Sequence, residues 1–146
     1  IELAQDMIET YNIENPTIAV AGLNPHCGEG GAFGHEEIEE IIPAIEEAKK
    51  EGTKVLGPIP PDSIFFRALN KEFQVIVVMY HDQGHIPVKL INFAEGVNIT
   101  VGLPIIRTSV DHGTAFDRAG KGIASSQSME AALKLAAEMA VKKFYK

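Results

Sequence analysis

Cysteine and positive charge are both scarce in this sequence, and each shortage narrows the kind of protein it encodes. The single cysteine, Cys27, excludes an internal disulfide and suits a reducing compartment, so we expect a cytoplasmic protein. Thirteen Lys and Arg residues against twenty Asp and Glu residues give a net charge of -7. That balance argues against nucleic acid or an anionic membrane as the main partner, although a small anionic substrate needs only a few local cations.

Long apolar runs are also missing, because no stretch of the sequence is long enough to span a bilayer. The hydrophobic fraction of 45% and the charged fraction of 23% are typical of a globular chain, and 146 residues suffice for one compact domain. The chain opens on Ile1-Glu2-Leu3-Ala4, which has the pattern of a helix interior, and not on Met. We therefore expect an N-terminal part of the protein to precede it.

The sequence does contain alternating apolar runs and amphipathic stretches. Two continuous apolar runs and one weaker run predict strands at residues 17–23, 73–80 and 97–101. Apolar residues at helical spacing predict helices at residues 1–11, 36–51, 63–69 and 127–144. The alternation indicates an α/β fold with a mainly parallel sheet and flanking helices.

Several local features of these elements are also predicted. Pro43 should kink the second helix or start a new one, Asp62 or Ser63 should cap the third, and residues 57–61 should form a rigid loop. The apolar face of the second helix is predicted to contain Ile38, Ile41, Ile42, Ile45 and Ala48. The apolar stripe of the last helix is predicted to contain Met129, Leu133, Ala136, Ala140 and Phe144.

Two histidines come directly after the predicted buried strands: His26 follows residues 17–23 and His81 follows residues 73–80. Ligands of parallel α/β sheets bind beyond the C-terminal ends of the strands, so the two loops share one edge if the strands are neighbours. Imidazole binds divalent transition metals, which makes the pair a candidate metal site. Asp82 is a candidate catalytic residue, as a further ligand, an orienting partner or a general base. The alternative is that each histidine only caps its loop by hydrogen bonding.

Two glycine-bearing loops and three polar side chains are further candidates. Residues 28–31 (GEGG) allow close approach of a ligand to the backbone, although a flexible turn is the simpler interpretation. Residues 111–122 (DHGTAFDRAGKG) offer backbone amides to an anion or a cofactor, or they form a plain connection. The side chains that could clamp a phosphate, with ordinary surface polarity as the alternative, are Lys89, Asn98 and Arg107.

Four strings of the sequence resemble the 4-hydroxythreonine-4-phosphate dehydrogenase (PdxA) family: AGLNPHCGEGGAFGHEEI, MYHDQGHIPVK, GVNITVGLPIIRTSVDHGTAFD and AGKGIA. The resemblance runs through nearly the whole chain. The stretch DHGTAFDRAGKGIA is also similar to the cofactor loop of isopropylmalate and isocitrate dehydrogenases, whose fold this family shares. The resemblance implies that residues 1–146 are the C-terminal half of such an enzyme, with an isocitrate/isopropylmalate dehydrogenase-like fold truncated at its N-terminus.

The resemblance also implies roles for individual residues. It implies a homodimer with its active site at the subunit interface, where three histidines from both subunits bind one divalent metal (Zn, Mg or Co). His26 and His81 match two of these histidines, and the third lies upstream of this chain. The residues that match the family's substrate-binding positions are Lys89, Asn98 and Arg107. The residues that match its NAD-binding loop are His112, Gly113, Thr114, Ala115 and Asp117.

The function implied for the parent enzyme is the NAD- and metal-dependent oxidation and decarboxylation of 4-phosphohydroxy-L-threonine to 3-amino-2-oxopropyl phosphate, in pyridoxal phosphate (vitamin B6) biosynthesis. The wording HDQGHIPVK favours instead a paralogous branch that acts on D-threonate or D-erythronate 4-phosphate. A non-catalytic metal- or phosphate-binding fragment and a metallohydrolase are the remaining alternatives. We expect no turnover by the isolated 146 residues.

Cys27 departs from the pattern of the family, which commonly has Ala after the histidine of the NPH string. A thiol at this position could be oxidised or could bind a soft metal, and both reactions proceed through the thiolate.

Overall fold

The structure, a computed structural model, describes residues 1–14 and 16–145, which form two compact units, Ile1–Pro87 and Val88–Lys146. The helices are α1 (Glu2–Tyr11), α2 (Ile42–Lys50), α3 (Pro61–Leu69), α4 (His81–Ile91) and α5 (Gln127–Phe144). The strands are β1 (Ile18–Ala21), β2 (Val55–Ile59), β3 (Val75–Val77), β4 (Val97–Thr100) and β5 (Arg107–Val110). The predicted α/β class, with a parallel sheet and flanking helices, is confirmed. No helix in the described ranges is long and apolar enough to cross a membrane.

The first unit is built around β1, which lies in the middle of a three-stranded parallel sheet of order β2-β1-β3. The side chains of β1 alternate between two cores. Ile18 and Val20 pack with α1 and α2, while Ala19 and Ala21 pack on the opposite face with α3. All four residues are buried, as the continuous apolar run predicts. Because β1 and β3 are parallel neighbours, the segments that follow them begin at the same edge of the sheet.

The other two strands differ from their predictions. The strand predicted at 73–80 is only Val75–Val77 and is half-buried, because β3 pairs with β1 alone among the described strands. Its predicted tip, His81-Asp82-Gln83-Gly84, is the first turn of α4 and not a loop. Strand β2 continues through Gly57 and Pro58, which were predicted to lie in a rigid loop. Proline is tolerated there because β2 is an outer strand of the sheet.

The helix predicted at 36–51 is divided into a π-helical turn (Glu37–Ile41) and α2, and Pro43 lies in the first turn of α2 as expected. Ile41, Ile45 and Ala48 are buried. Ile38 and Ile42 are 48% and 40% exposed, so their predicted place on the apolar face is wrong. The buried face instead extends one turn before Ile41, to the buried Glu37.

Helix α3 begins at Pro61, earlier than predicted, and neither Asp62 nor Ser63 caps it. Proline suits the first position of a helix because an N–H group at that position would have no acceptor within the helix. The Ser63 hydroxyl donates a hydrogen bond to the Pro60 carbonyl at 3.2 Å.

The second unit consists of β4, β5 and α5. The predicted strand at 97–101 is β4, but it pairs antiparallel with β5 in a separate two-stranded sheet. Helix α5 has its predicted bounds and packs on both strands, where the Thr108 hydroxyl donates to the Ala132 carbonyl at 3.0 Å. The residues of α5 that are buried are Ser128, Ala132 and Met139. The predicted stripe is wrong, because its three largest members are more than half exposed: Met129, Leu133 and Phe144. The small Ser128 and Ala132 side chains allow closer approach of the helix to the strands.

The burial pattern of α2 can be tested with two matched substitutions one turn apart. Ile45→Ala should lower the free energy of unfolding by about 2–5 kcal/mol, because it leaves a cavity at a side chain that is 1% exposed. Ile42→Ala should cost much less, since that side chain is 40% exposed. Urea unfolding of both variants measures the difference, and equal losses would contradict the packing of this helix.

Candidate metal and substrate site

The segment after β1 carries His26 on an unusual left-handed turn. Residues 26–30 all have positive φ, including the non-glycine residues His26 (51°), Cys27 (55°) and Glu29 (43°). A left-handed conformation costs a non-glycine residue roughly 1–2 kcal/mol, so this turn needs support from its surroundings. Gly28 is buried, and a Cβ there would lie 2.8 Å from Glu37 Oε2. The GEGG string therefore serves a defined turn in contact with Glu37.

Glu37 provides that support from the π-helical turn. Its Oε1 accepts the backbone N–H groups of Leu23 and Asn24 at 2.8 and 2.7 Å, and its Oε2 accepts the Asn24 side-chain amide at 2.8 Å. The Asn24 amide also donates to Glu36 Oε2 at 2.7 Å, and the Cys27 N–H donates to the Asn24 carbonyl at 3.1 Å. The carboxylate thus holds the entry to the His26 turn.

Burial acts to raise the pKa of Glu37, since the residue is only 1% exposed. Hydrogen bonds from the Asn24 side chain, the Asn24 and Leu23 backbone and its own N–H outweigh burial and hold the pKa below its usual range. Glu37 is therefore ionised at neutral pH. The burial of Glu37 was not predicted from the sequence, because an acidic helix start usually faces solvent. The available signal was its spacing of four and eight residues before the buried Ile41 and Ile45.

His81 is the first residue of α4, directly beyond β3. Its Nδ1 lies 2.7 Å from Asp82 Oδ1, and its ring packs against the His85 ring with centroids 4.0 Å apart. With Nδ1 hydrogen-bonded to a carboxylate, Nε2 is left as the atom for a ligand bond. Of the three roles considered for Asp82, this contact favours orientation of the histidine.

A second buried polar residue, Gln83, also escaped the sequence analysis. Its Oε1 accepts the Met79 N–H at 2.7 Å, and its Nε2 donates to the Gly22 carbonyl at 2.8 Å. One side chain thus joins the segment that leads to His26 with the segment that leads to His81.

The donor chemistry of His26 and His81 fits a divalent transition metal, because both are imidazoles placed after neighbouring parallel strands. In the described ranges, no group of three or more His, Cys, Asp or Glu side chains is placed to hold a metal ion. The described residues therefore supply two candidate ligands, which is fewer than the three protein ligands typical of a catalytic zinc.

The second unit brings Asn98 and Arg107 to one face of the β4–β5 pair. Asn98 is opposite Ser109, and Thr100 is opposite Arg107. Because side chains alternate along a strand, these four residues share a face. The Arg107 Nη1 donates to the Thr100 hydroxyl at 2.9 Å, which fixes one nitrogen of the guanidinium.

Lys89 lies in α4 and is paired with Asp111. Its Nζ donates to the Asp111 carbonyl at 2.9 Å and to Asp111 Oδ2 at 3.1 Å. The ammonium is also 5.2 Å from the centroid of the Phe93 ring. These partners hold Lys89 in one position, unlike a freely solvated surface lysine.

The loop predicted to bind a cofactor, residues 112–117, is exposed and lies outside the regular elements. His112 Nδ1 is 2.9 Å from the Gly113 carbonyl oxygen, and Ala115 has a positive φ of 49°. A Cβ added to Gly113 would have no heavy atom of the described residues within 4 Å, apart from those of its own chain neighbours. The backbone here is therefore open to a ligand.

The thiol of Cys27 is half-buried and packs toward Gly22. Burial is the main cause that raises the pKa of this thiol, and the negative charge of Glu37 adds to it, while a hydrogen bond from the Gly22 backbone acts in the opposite direction. Oxidation and soft-metal binding, the two reactions considered for Cys27, both need the thiolate. The raised pKa therefore disfavours them at neutral pH.

Residues 1–136 match the family described as "Pyridoxal phosphate biosynthetic protein PdxA". The chain belongs to the PdxA family. The chain is 59% identical over 141 residues to an Oceanobacillus iheyensis protein provisionally named a D-threonate 4-phosphate dehydrogenase. That alignment covers 96% of this chain and 42% of the relative. It is 57% identical over 138 residues to 4-hydroxythreonine-4-phosphate dehydrogenase of Desulforapulum autotrophicum, with coverages of 94% and 41%.

The fold is similar to a solved PdxA-family structure as well. A crystal structure of 4-hydroxythreonine-4-phosphate dehydrogenase from Klebsiella pneumoniae aligns with a TM-score of 0.85 and 50% identity, over 95% of this chain and 42% of that one. The chain thus spans less than half the length of the PdxA-family relatives it matches.

Removal of the Glu37 charge should destabilise the protein in a pH-dependent way. Because the folded-state pKa of Glu37 lies below its usual value of 4.5, its ionised form stabilises the fold above about pH 4.5, and this contribution is lost as the pH falls. At neutral pH, Glu37→Gln should lower the free energy of unfolding by about 1–3 kcal/mol. Urea unfolding between pH 3 and pH 7 should show the difference from wild type shrinking toward acid pH. Glu36→Gln, at an exposed carboxylate on the same Asn24, is the control, and an equal loss in both variants would contradict the argument.

Cys27 should react slowly with a thiolate-selective reagent. Its raised pKa predicts that iodoacetamide at pH 7.5 alkylates Cys27 in the folded protein more slowly than in the protein unfolded by guanidinium. Glu37→Gln should accelerate the folded-state reaction, because it removes a charge that raises the thiol pKa. Equal rates in the folded and unfolded protein would disprove the protected thiol.

Proposed function

We propose that the protein carrying these residues is an NAD- and divalent-metal-dependent dehydrogenase of a small 4-phosphorylated hydroxy acid. One observation carries the proposal: His26 and His81 lie in the segments that follow β1 and β3, which are parallel neighbours within a PdxA-family chain. The loops beyond the C-terminal ends of parallel strands are where α/β folds bind ligands. Exposed histidines at that edge are better suited to ligand binding than to packing.

In this proposal His26 and His81 are two of the metal ligands, and Asp82 orients the second. A bound divalent metal would act as a Lewis acid on a substrate oxygen and stabilise negative charge that develops there. Imidazole ligands favour Zn or Co over Mg. The Nδ1 contact with Asp82 leaves Nε2 of His81 as the ring nitrogen that would bind the metal.

Lys89, Asn98 and Arg107 are proposed to bind the substrate. Arg107 has one nitrogen on Thr100 and keeps further N–H donors for phosphate oxygens, and the guanidinium geometry suits paired phosphate contacts. Asn98 lies on the same strand face and can donate or accept a hydrogen bond. Lys89, positioned by Asp111, contributes a point charge.

The proposed NAD-binding residues are His112, Gly113, Thr114, Ala115 and Asp117. NAD would supply the hydride acceptor for the oxidation of the substrate hydroxyl. The open backbone around Gly113 would allow the cofactor to approach closely. The whole protein is proposed to be a cytoplasmic homodimer with its active site at the subunit interface, where a third histidine would complete the metal ligands.

Two substrates are candidates for this chemistry. The first is 4-phosphohydroxy-L-threonine, oxidised and decarboxylated to 3-amino-2-oxopropyl phosphate for pyridoxal phosphate biosynthesis, after the name of the 57% identical relative. The second is D-threonate or D-erythronate 4-phosphate. The HDQGHIPVK string and the provisional name of the 59% identical relative favour that branch.

A panel of phosphorylated hydroxy acids tests the proposal. The full-length protein, with NAD and added Zn²⁺, Co²⁺ or Mg²⁺, should form NADH with one of the two candidate substrates. His26→Ala and His81→Ala should each lower the metal-dependent rate by about 10²-fold or more, since each removes a metal ligand. A phosphatase assay without NAD is the control for a hydrolase. Full metal-dependent activity in either variant would refute the assignment of that histidine.

A further inference from the structure

The two proposed metal ligands lie on segments that continue beyond the last backbone pair of β1 and β3. The backbone pairing of β1 with β3 ends at Val20 and Val77. From there one segment continues through Gly22 to the left-handed turn of His26, and the other continues through Met79 to α4 and His81. Some contact beyond the last strand pair is needed to fix the distance between the two histidines.

Gln83 makes that contact. We propose that Gln83 is a positioning residue whose side-chain amide ties the Gly22 carbonyl to the Met79 N–H and so sets the separation of His26 and His81. The two hydrogen bonds are 2.8 and 2.7 Å long, and the residue is 7% exposed. This role rests on the proposed metal site, because it has a functional meaning only if both histidines bind one ion.

The chemistry of the contact requires an amide. The Met79 N–H can only donate and the Gly22 carbonyl can only accept, so the bridging group must offer one acceptor and one donor. Glutamine does so on one planar group. Glutamate keeps the acceptor and loses the donor at neutral pH, and methionine has nearly the same size but offers neither group effectively.

The position of Gln83 matters because metal binding tolerates little displacement of its ligands. Ligand distances in metal sites vary by about 0.2 Å, and loss of a residue that orients a ligand typically weakens metal binding by about 10–100-fold. Gln83 lies two residues after His81 in the sequence. Its hydrogen bond reaches the Gly22 carbonyl, four residues before His26. Its removal would break this link between the two segments, while Glu37 would still hold the entry to the His26 turn.

The chain provides a matched control at the other end of the same two strands. The Gln74 side chain accepts the Thr17 N–H at 3.0 Å, so it also bridges the β1 and β3 segments. It lies before the strands and not beyond them. A contact that is merely structural should therefore give similar results when removed at either glutamine.

The experiment compares Gln83→Met, Gln83→Glu and Gln74→Met in the full-length protein. Each variant is titrated with Co²⁺ alone, followed by the visible absorbance of the bound ion, and each metal-free variant is unfolded in urea. Gln83→Met should weaken Co²⁺ binding by about 10–100-fold. Gln74→Met should leave Co²⁺ affinity unchanged, even where it lowers stability as much. If Gln83→Met does not fold, Gln83→Glu, which keeps the Met79 contact, should show the weakened binding.

Unchanged Co²⁺ affinity in the folded Gln83 variant would overturn the positioning role, whatever its loss in the free energy of unfolding. The metal site itself is tested separately in the same titration. If His26→Ala and His81→Ala bind Co²⁺ as tightly as wild type does, the proposed ligands are wrong. If those variants lose the ion while Gln83→Met keeps it, only the inference on Gln83 fails.

Discussion

A buried carboxylate that accepts three N–H bonds holds the entry to the left-handed turn after β1, and the placement of His26 depends on this contact. Glu37 is stable there as an anion only because Leu23 and Asn24 aim their donors at it, since an unpaired buried charge is very costly. The left-handed turn holds three non-glycine residues at positive φ. This disfavoured conformation is maintained because Glu37 fixes the residues that lead into the turn. The conformation of His26 is therefore decided by a residue eleven positions further along the chain.

The strand that matters most could be predicted from sequence alone. The run at residues 17–23 is apolar throughout because β1 is buried on both faces, and burial on both faces leaves an unmistakable pattern. From that strand the place of His26 follows by the general rule for parallel sheets. The same rule placed His81, although β3 proved short and half-buried. The metal, substrate and cofactor roles of the site residues stay predictions.

The features that sequence analysis missed share a physical cause, namely that long-range contacts override local preference. The first turn of α4 contains Gly84, and Pro87 follows, so its composition favours a loop. Glu37 lies in an acidic segment whose composition is typical of a helix start that faces solvent. The correct face of α5 depends on a hydrogen bond from Thr108 and on the small size of Ala132, which no periodicity of the helix itself can reveal.

The left-handed backbone at position 26 has a consequence for protein engineering. Aspartate and asparagine tolerate positive φ because their short side chains hydrogen-bond locally, so the turn would accept either of them in place of His26. A carboxylate at position 26 would offer oxygen in place of nitrogen, and oxygen is the donor that Mg²⁺ and Mn²⁺ prefer. Under the proposed function, the turn that displays His26 is thus a place where metal preference could be redesigned.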